Sequence, residues 1–256
     1  YLYSFFIRNS WSLKNRWKFD TGIRYSYFDN LDKLYFEPRI SIIYKIKQNL
    51  SLELSYGEHN QFIHKLDKEN NSNFNINSRF LSSSKIPTIL SKNFQSGIHW
   101  NKNDYNLSTT FYLKSLSNFF KPEWSFSFED YLSNNNENID PGYGKIEGLE
   151  IQFRKKSGMI TGWISYHNSN TKYQLSDFNE GELFFADYDK NHELKIVALG
   201  QIFNTNLSAS WVFSSGRPFT SLENLYVESG SGYEIFSKGK YNNCLLYTSD
   251  AADERN

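Results

Sequence analysis

The stretch from Trp17 to Phe28, "WKFDTGIRYSYF", puts Trp17, Phe19, Thr21, Ile23, Tyr25 and Tyr27 on one parity and Lys18, Asp20, Gly22, Arg24 and Ser26 on the other. Successive side chains of an extended chain point to opposite faces, so this reads as a strand with one aromatic face and one charged face. The pattern recurs. Alternation over roughly 8 to 13 residues predicts strands near 1–13, 16–28, 34–46, 50–57, 92–101, 105–116, 144–155, 159–168, 191–202 and 207–215. In one of them Leu50, Leu52, Leu54 and Tyr56 alternate with Ser51, Glu53, Ser55 and Gly57; in another Leu207, Ala209, Trp211 and Phe213 alternate with Ser208, Ser210 and Ser214. A helical period fits none of them as well.

The connections alternate as well. Tight polar turns at 14–15, 47–49, 101–104, 155–158 and 204–206 are rich in the Asn, Asp and Gly that accept left-handed backbone. Between them lie long connections, 58–91, 117–143 and 169–190, with a shorter one at 29–33. Short turns therefore fall at one end of the sheet and long loops at the other. Soluble sandwiches have strands of about 5 to 6 residues and no such rhythm. Strands that cross a bilayer need about 9 to 11 tilted residues, and because every backbone group in lipid must be paired they close into a barrel.

Composition agrees with this reading. Aromatic residues make up 18% of the chain although mean hydropathy is only −0.63, so apolar and polar residues are finely interleaved. No apolar run approaches the length of a membrane-spanning helix. The first residues, "YLYSFFIRNS", lack the order of a signal peptide and start within a strand pattern, which is expected of a fragment. The 28 basic and 28 acidic side chains balance, which argues against a nucleic-acid partner. A single cysteine, Cys244, excludes a disulfide framework and a thiolate zinc site. Rings flank the short turns, among them Trp11, Trp17, Tyr44, Trp100, Tyr105, Phe153 and Phe203, where amphipathic side chains mark a membrane boundary. The aromatic face is thus expected to meet lipid and the charged face to line a wet or protein-filled lumen.

Several stretches resemble the barrel of TonB-dependent outer-membrane receptors, in particular a Bacteroidetes-like branch. "WKFDTGIRYSYF" followed by "LYFEPRISIIYKIKQNLSLELSYGEHNQFIHKL" is similar to the family's "GxR" strand, its "EPR" (Glu37, Pro38, Arg39) and its "SYG" strand leading into a long loop. "GYGKIEGLEIQFRKKSGMITGWISYHNSN", with Gly144, Gly148, Glu150 and Gly162, resembles a later strand pair. "DYDKNHELKIVA", centred on Asp189 and His192, resembles the opening of the next strand, and "LSASWVFSSGRPFT" the strand and loop after it. The resemblance covers roughly residues 1–225 and implies an all-β, transmembrane antiparallel β-barrel, incomplete, with about ten strands of a 22-strand wall. Such a piece is expected to form an open, curved sheet with unpaired edges. Residues 1–241 are assigned to the barrel. From Asn242 onward "NNCLLYTSDAADERN" loses alternation and resembles translated adapter read-through, so 242–256 is expected to be a non-native or disordered tail.

By the same resemblance the whole protein is an outer-membrane receptor that takes up a scarce large nutrient: a siderophore, haem, cobalamin, glycan or peptide. Its expected partners are outer-membrane lipid, the TonB complex through a plug domain, and a surface lipoprotein. The alternatives are a passive porin-like channel and a secreted β-rich carbohydrate-binding domain. No cofactor is expected.

The residues themselves suggest no enzyme. His59, His64, His99, His167 and His192 form no HExxH and no close pair with an acidic third ligand; His59 and His64 flank "NQFI" in a loop, where ordinary loop polarity is favoured over a metal or haem site. "GYGKIEG" lacks the GK[ST] ending of a phosphate loop and opens a strand. There is no GxSxG elbow, and Glu147 and Glu150 fall on opposite faces of one strand. Two sets of binding candidates remain. Phe119, Phe120, Trp124, Phe126, Phe128 and Tyr131 crowd one loop, either as a stacking surface for a ligand or, the favoured reading, as a hairpin packed on neighbouring loops. Arg24, Glu37, Arg39, Glu53 and Arg154 take lumen parity, to contact a plug or line a channel, and the shared parity of Glu37 and Arg39 suggests an ion pair.

Overall fold

A computed structural model describes residues 1–69, 75–120, 141–176, 178–202, 205–227, 234–238, 240–242 and 244–245. Ten long strands form one antiparallel meander: β1 (Leu2–Leu13), β2 (Trp17–Phe28), β3 (Lys33–Lys47), β4 (Leu50–Gln61), β7 (Ile89–Lys102), β8 (Tyr105–Phe119), β9 (Gly142–Lys155), β10 (Ile160–Gln174), β12 (His192–Ile202) and β13 (Thr205–Ser214). A hairpin of β5 (Ile63–Glu69) and β6 (Asn75–Leu81) rises from the loop after β4, and β11 (Phe184–Phe185) adds two residues beside β10. The C-terminal region holds β14 (Pro218–Phe219), β15 (Leu222–Val227), β16 (Glu234–Lys238) and β17 (Cys244–Leu245), paired β14 with β17 and β15 with β16.

The ten expected strands are all present. Among the described residues the sheet is open: β1 pairs only with β2 and β13 only with β12. Short turns work as the sequence suggests, with Lys14, Asn15 and Asn103 in the left-handed region. No helix among the described residues is long and apolar enough to cross a membrane.

Register decides what each face presents. One rung of directly opposed residues runs through the whole sheet: Leu13, Trp17, Tyr44, Leu52, Ile98, Thr109, Ile151, Tyr166, Leu194 and Phe213. All but Thr109 are apolar or aromatic, and they belong to the outward face. The opposite face carries the rung Ser10, Asp20, Ser41, Ser55, Gln95, Tyr112, Gly148 and Ser169. Every member is polar or glycine. Since side chains alternate, a slip of one residue would exchange the faces, so this register is fixed by where the apolar set must go.

Rings pair across strands on the outward face near the short turns. Trp17 lies 4.4 Å from Tyr44, Trp11 5.8 Å from Phe19 and Tyr105 5.7 Å from Phe153, centroid to centroid. These are aromatic contacts of ordinary strength, and the outward residues remain exposed within the chain.

At the long-loop end the chain closes over itself. Ile86, Ile89, Phe119, Phe120, Tyr173, Leu175, Phe184 and Ala186 form a buried cluster drawn from three connections, with Phe178 and Tyr241 against it. Asn242, at the start of the expected tail, is buried here: its backbone N–H donates to Thr220 Oγ1 at 3.1 Å and its side-chain amide to the Phe185 carbonyl at 2.9 Å.

Candidate functional site

Two regions gather the residues singled out from the sequence. The first is the polar inner wall. Arg24 and Glu37 face each other directly across β2 and β3, and their charged groups approach to 3.9 Å. Glu37 is almost fully buried; its Oε1 accepts the backbone N–H of Asn60, while Oε2 makes no hydrogen bond. The expected partner of Glu37 was Arg39, on shared parity. Instead Arg39 sits one rung away, opposite Gly22 and Gly57, and its Nη2 reaches His59 Nδ1 at 3.0 Å. Direct cross-strand neighbours are about 4.5 to 5.5 Å apart, closer than residues two apart on one strand, so Arg24 takes the carboxylate.

Glu53 joins His99 at 3.1 Å and accepts from Ser41 Oγ at 3.4 Å. Arg154 belongs to the same face, opposite Asn106 and Trp163. Parity also identifies members not singled out beforehand. Arg8 Nη2 lies 3.7 Å from Asp20 Oδ1. Tyr112 Oη and His167 Nε2 are 2.7 Å apart, with Glu150 Oε1 at 3.7 Å from the same nitrogen. Tyr112 occupies space that only Gly148 leaves open: a Cβ there would fall 2.4 Å from its hydroxyl and 2.6 Å from the Asn168 carbonyl. A concavity of about 480 Å³ opens on this wall beside Arg8, Asp20, Arg24, Arg39, Ser55 and His59.

The second region is the cap at the long-loop end. Trp124, Phe126, Phe128 and Tyr131 lie outside the described residues. Phe119 and Phe120, at the root of their loop, are buried in the cluster. A β-bulge does this. Ser117 pairs with Tyr143 and Phe119 with Gly142, leaving Asn118 as the extra residue in left-handed geometry at φ 58°. The extra residue turns Phe119 from the outward to the inward face, where it stacks on Tyr173 at 4.1 Å. Phe120 packs on the His64 ring at 4.7 Å. Nε2 of His64 lies 2.9 Å from Ser82 Oγ, and burial pushes the imidazole down to about 4.

Asp189 anchors the last loop of the cap. Its Oδ1 accepts the Thr171 backbone N–H at 3.0 Å, yet burial raises its carboxyl above the usual range against that bond. His192 Nδ1 lies 2.8 Å from the Tyr166 hydroxyl. Each of the five histidines thus has protein partners, and among the described residues no group of three or more His, Cys, Asp or Glu is arranged to hold a metal ion. The arrangement offers an apolar wall for lipid, a polar wall for solvent or a second domain, and a capped outer mouth.

The sequence matches the family described as "TonB dependent receptor-like, beta-barrel" over residues 1–243. No curated relative matches it. Solved structures share its fold. The FrpB iron transporter from Neisseria meningitidis is 12% identical with a TM-score of 0.59, covering 93% of this chain and 36% of that one. The ferripyoverdine receptor of the outer membrane of Pseudomonas aeruginosa is 10% identical with a TM-score of 0.59, covering 93% and 31%. The ferric yersiniabactin uptake receptor FyuA from Yersinia pestis is 9% identical with a TM-score of 0.56, covering 93% and 43%. This chain therefore spans between 31% and 43% of the length of these three. The match over nearly all its residues, on a two-faced meander of ten strands, places the chain in the β-barrel family of TonB-dependent receptors, proteins of the bacterial outer membrane.

Proposed function

We propose that the whole protein of which this chain is the described part captures a scarce, large nutrient in its outer loops and imports it with energy delivered by TonB. The class of cargo is a siderophore, haem, cobalamin, glycan or peptide. The observation that carries the reading is the pairing of an outward rung that is apolar at every strand but the one carrying Thr109 with a polar rung inside from β1 to β10, across strands long enough to cross a bilayer. Arg24, Glu37, Arg39, Glu53 and Arg154 then face a plug domain within the lumen. In the cap, Phe119 and Phe120 anchor the base of a loop whose Trp124, Phe126, Phe128 and Tyr131 meet the cargo. A surface lipoprotein is the further partner this reading includes.

No covalent chemistry is involved: the cargo binds, and displacement of the plug releases it inward. A passive porin-like channel is the alternative the same wall supports; a secreted carbohydrate-binding domain is disfavoured by the exposed apolar face. The test is uptake of a labelled cargo by cells carrying the intact gene, with and without a protonophore. Uptake that stops when the proton gradient is collapsed supports the receptor. Uptake that continues at the same rate makes the protein a passive channel.

A further inference from the structure

The ladder between β3 and β4 stops short of both strands. Its last pair is Arg39 with Gly57. Beyond that pair β3 stays on β2 as far as Lys33 opposite Phe28, and β4 stays on β7 as far as Gln61 opposite Ile89. Among the described residues, no ladder pair joins residues 33–38 of β3 to residues 58–61 of β4. Every other neighbouring pair in the wall keeps its ladder to within a residue of the long-loop end of the shorter strand.

The sequence of β3 accounts for the break. In an antiparallel pair the backbone groups of successive residues point alternately to the two neighbours. The Lys45 N–H donates to the Arg16 carbonyl just before β2, so odd residues of β3 address β2 and even ones address β4. By the same alternation the Asn101 N–H donates to the Asn49 carbonyl, so odd residues of β4 address β7 and even ones address β3. Pro38 therefore faces β4 at the first position past the last pair, and proline has no N–H to give. A proline and an inward charge are devices that blunt a free strand edge. Pro38 and Glu37 bring both to a strand in the interior of the sheet.

Side chains bridge the opening instead. The Asn60 N–H, which points to β3, donates to Glu37 Oε1 at 2.5 Å, so a carboxylate stands where a backbone carbonyl would be. Arg24 Nε lies 3.9 Å from the other oxygen of Glu37. Arg39 Nη2 reaches His59 Nδ1 at 3.0 Å, and the Tyr35 hydroxyl meets Thr88 Oγ1 at 3.1 Å. The Phe62 ring wedges between Phe28 at 5.2 Å and Tyr35 at 4.9 Å. On the outward side of β4 the residues here are Glu58 and Asn60, polar groups that keep water and headgroups near backbone that hydrocarbon would penalise. On the inward side, Arg39, Gly57 and His59 at the foot of the seam line the concavity of about 480 Å³.

We propose that β3 and β4 part along this seam, so that above Arg39 and Gly57 the wall works as two panels, β1–β3 and β4–β13, latched by the Glu37 carboxylate. The proposal rests on the membrane reading above. Below the seam the ladder from Lys47 to Arg39 stays shut and keeps the panels joined. Parting exchanges a few side-chain contacts for hydration and widens the lumen above the concavity, whereas parting any other pair of strands would break a backbone ladder. The motion lies in the wall itself, beneath the loops.

The test places pairs of spin labels in the full-length receptor in lipid nanodiscs, with Cys244 replaced by serine. One pair, Phe36→Cys/Asn60→Cys, spans the seam at positions that would oppose each other if the ladder went on. The control, Asn60→Cys/Leu90→Cys, spans an intact ladder at the same height. The control is expected to give one narrow distance distribution. The seam pair is expected to add a second population, longer by about one strand spacing (about 5 Å) or more. Glu37→Ala should raise the ratio of parted to closed forms about tenfold, as expected for loss of a hydrogen bond to a charged group. Glu37→Gln, whose amide oxygen still accepts the Asn60 N–H, should recover most of the closed form. Tyr35→Phe, which removes the hydroxyl that meets Thr88, should shift the ratio in the same direction by less. A single narrow distribution across the seam in the wild type overturns the proposal, and this comparison decides it even where Glu37→Ala fails to assemble. An unchanged ratio in an assembled Glu37→Ala overturns the latch. Heat-modifiable electrophoretic mobility reports assembly separately: a wild type that forms no barrel in the outer membrane contradicts the membrane reading, and a closed seam in an assembled barrel contradicts the parting alone.

Discussion

The membrane wall and the extracellular cap bury apolar side chains by different means. On the wall, Ile98 on the central strand β7 is 50% exposed, as are Trp211 and Phe213 on the edge strand β13 at 53% and 50%, although all three belong to an ordered sheet. In the cap, Phe28, Phe120, Ile86 and Phe184 are exposed by 2% or less. A protein that left both regions in water would carry one finished core and one unfinished one. The wall is completed by lipid, which explains why its apolar residues obey a strict two-residue period. Cap residues are buried by other parts of the chain and obey no period at all.

The first way to break this comparison is to remove a ring from the cap. Phe120→Ala should cost about 3 to 5 kcal/mol through the lost burial and the cavity left beside His64, read by denaturant unfolding of the full-length protein. If cargo binding falls while stability is unchanged, Phe120 is a ligand contact and not an anchor.

A charge on the wall should follow in size. Ile98→Arg, about four residues above the short turn and outward, should cost about 2 to 4 kcal/mol in phospholipid vesicles. Gln95→Arg, on the inner face of the same strand, should cost little. Equal costs would mean that the two faces do not differ in their surroundings.

The cap should also respond to pH where the wall does not. Buried His64 stays neutral in the folded state, held down to about 4, while in the unfolded chain it titrates near 6.5. Its contribution is intact above about 6.5 and is lost as pH falls from there towards 4, because the unfolded state then binds the extra proton. His64→Gln should flatten stability in that window. The smallest effect expected is that of Glu53→Gln on the inner wall, below about 1 kcal/mol, since the Glu53 and His99 side chains are each about a third exposed (34%).

The same contrast explains what could be read from the sequence. The ten wall strands, their turns and the two faces follow from alternation, because lipid imposes one rule on every rung. Strand ends were less legible. β10 runs to Gln174, beyond the expected 168, and β4 to Gln61, beyond 57. Above the hydrocarbon, outward positions such as Asn170 and Lys172 are polar, so the alternation that marks a strand fades while the hydrogen bonds continue. The β5–β6 hairpin and the cluster around Ile86, Phe184 and Ala186 lie in connections that read as polar loops. Their burial depends on contacts between distant segments, which no local pattern encodes. At the candidate site, parity placed Arg24, Glu37, Arg39, Glu53 and Arg154 on one face, but cross-strand pairing assigned Glu37 to Arg24. A single bulge residue, Asn118, reversed the direction of Phe119.

Depth-dependent quenching by nitroxide-labelled lipids tests the central claim most directly. A fluorophore is attached at single cysteines in the full-length receptor, with Cys244 replaced by serine, at successive positions along β4 and β7. Strong quenching at Leu52, Leu54, Ile98 and Phe94 and weak quenching at Glu53, Ser55, Gly97 and Gln95 is the predicted result. Quenching that is uniform along the strands, or strongest at the polar set, would contradict the account.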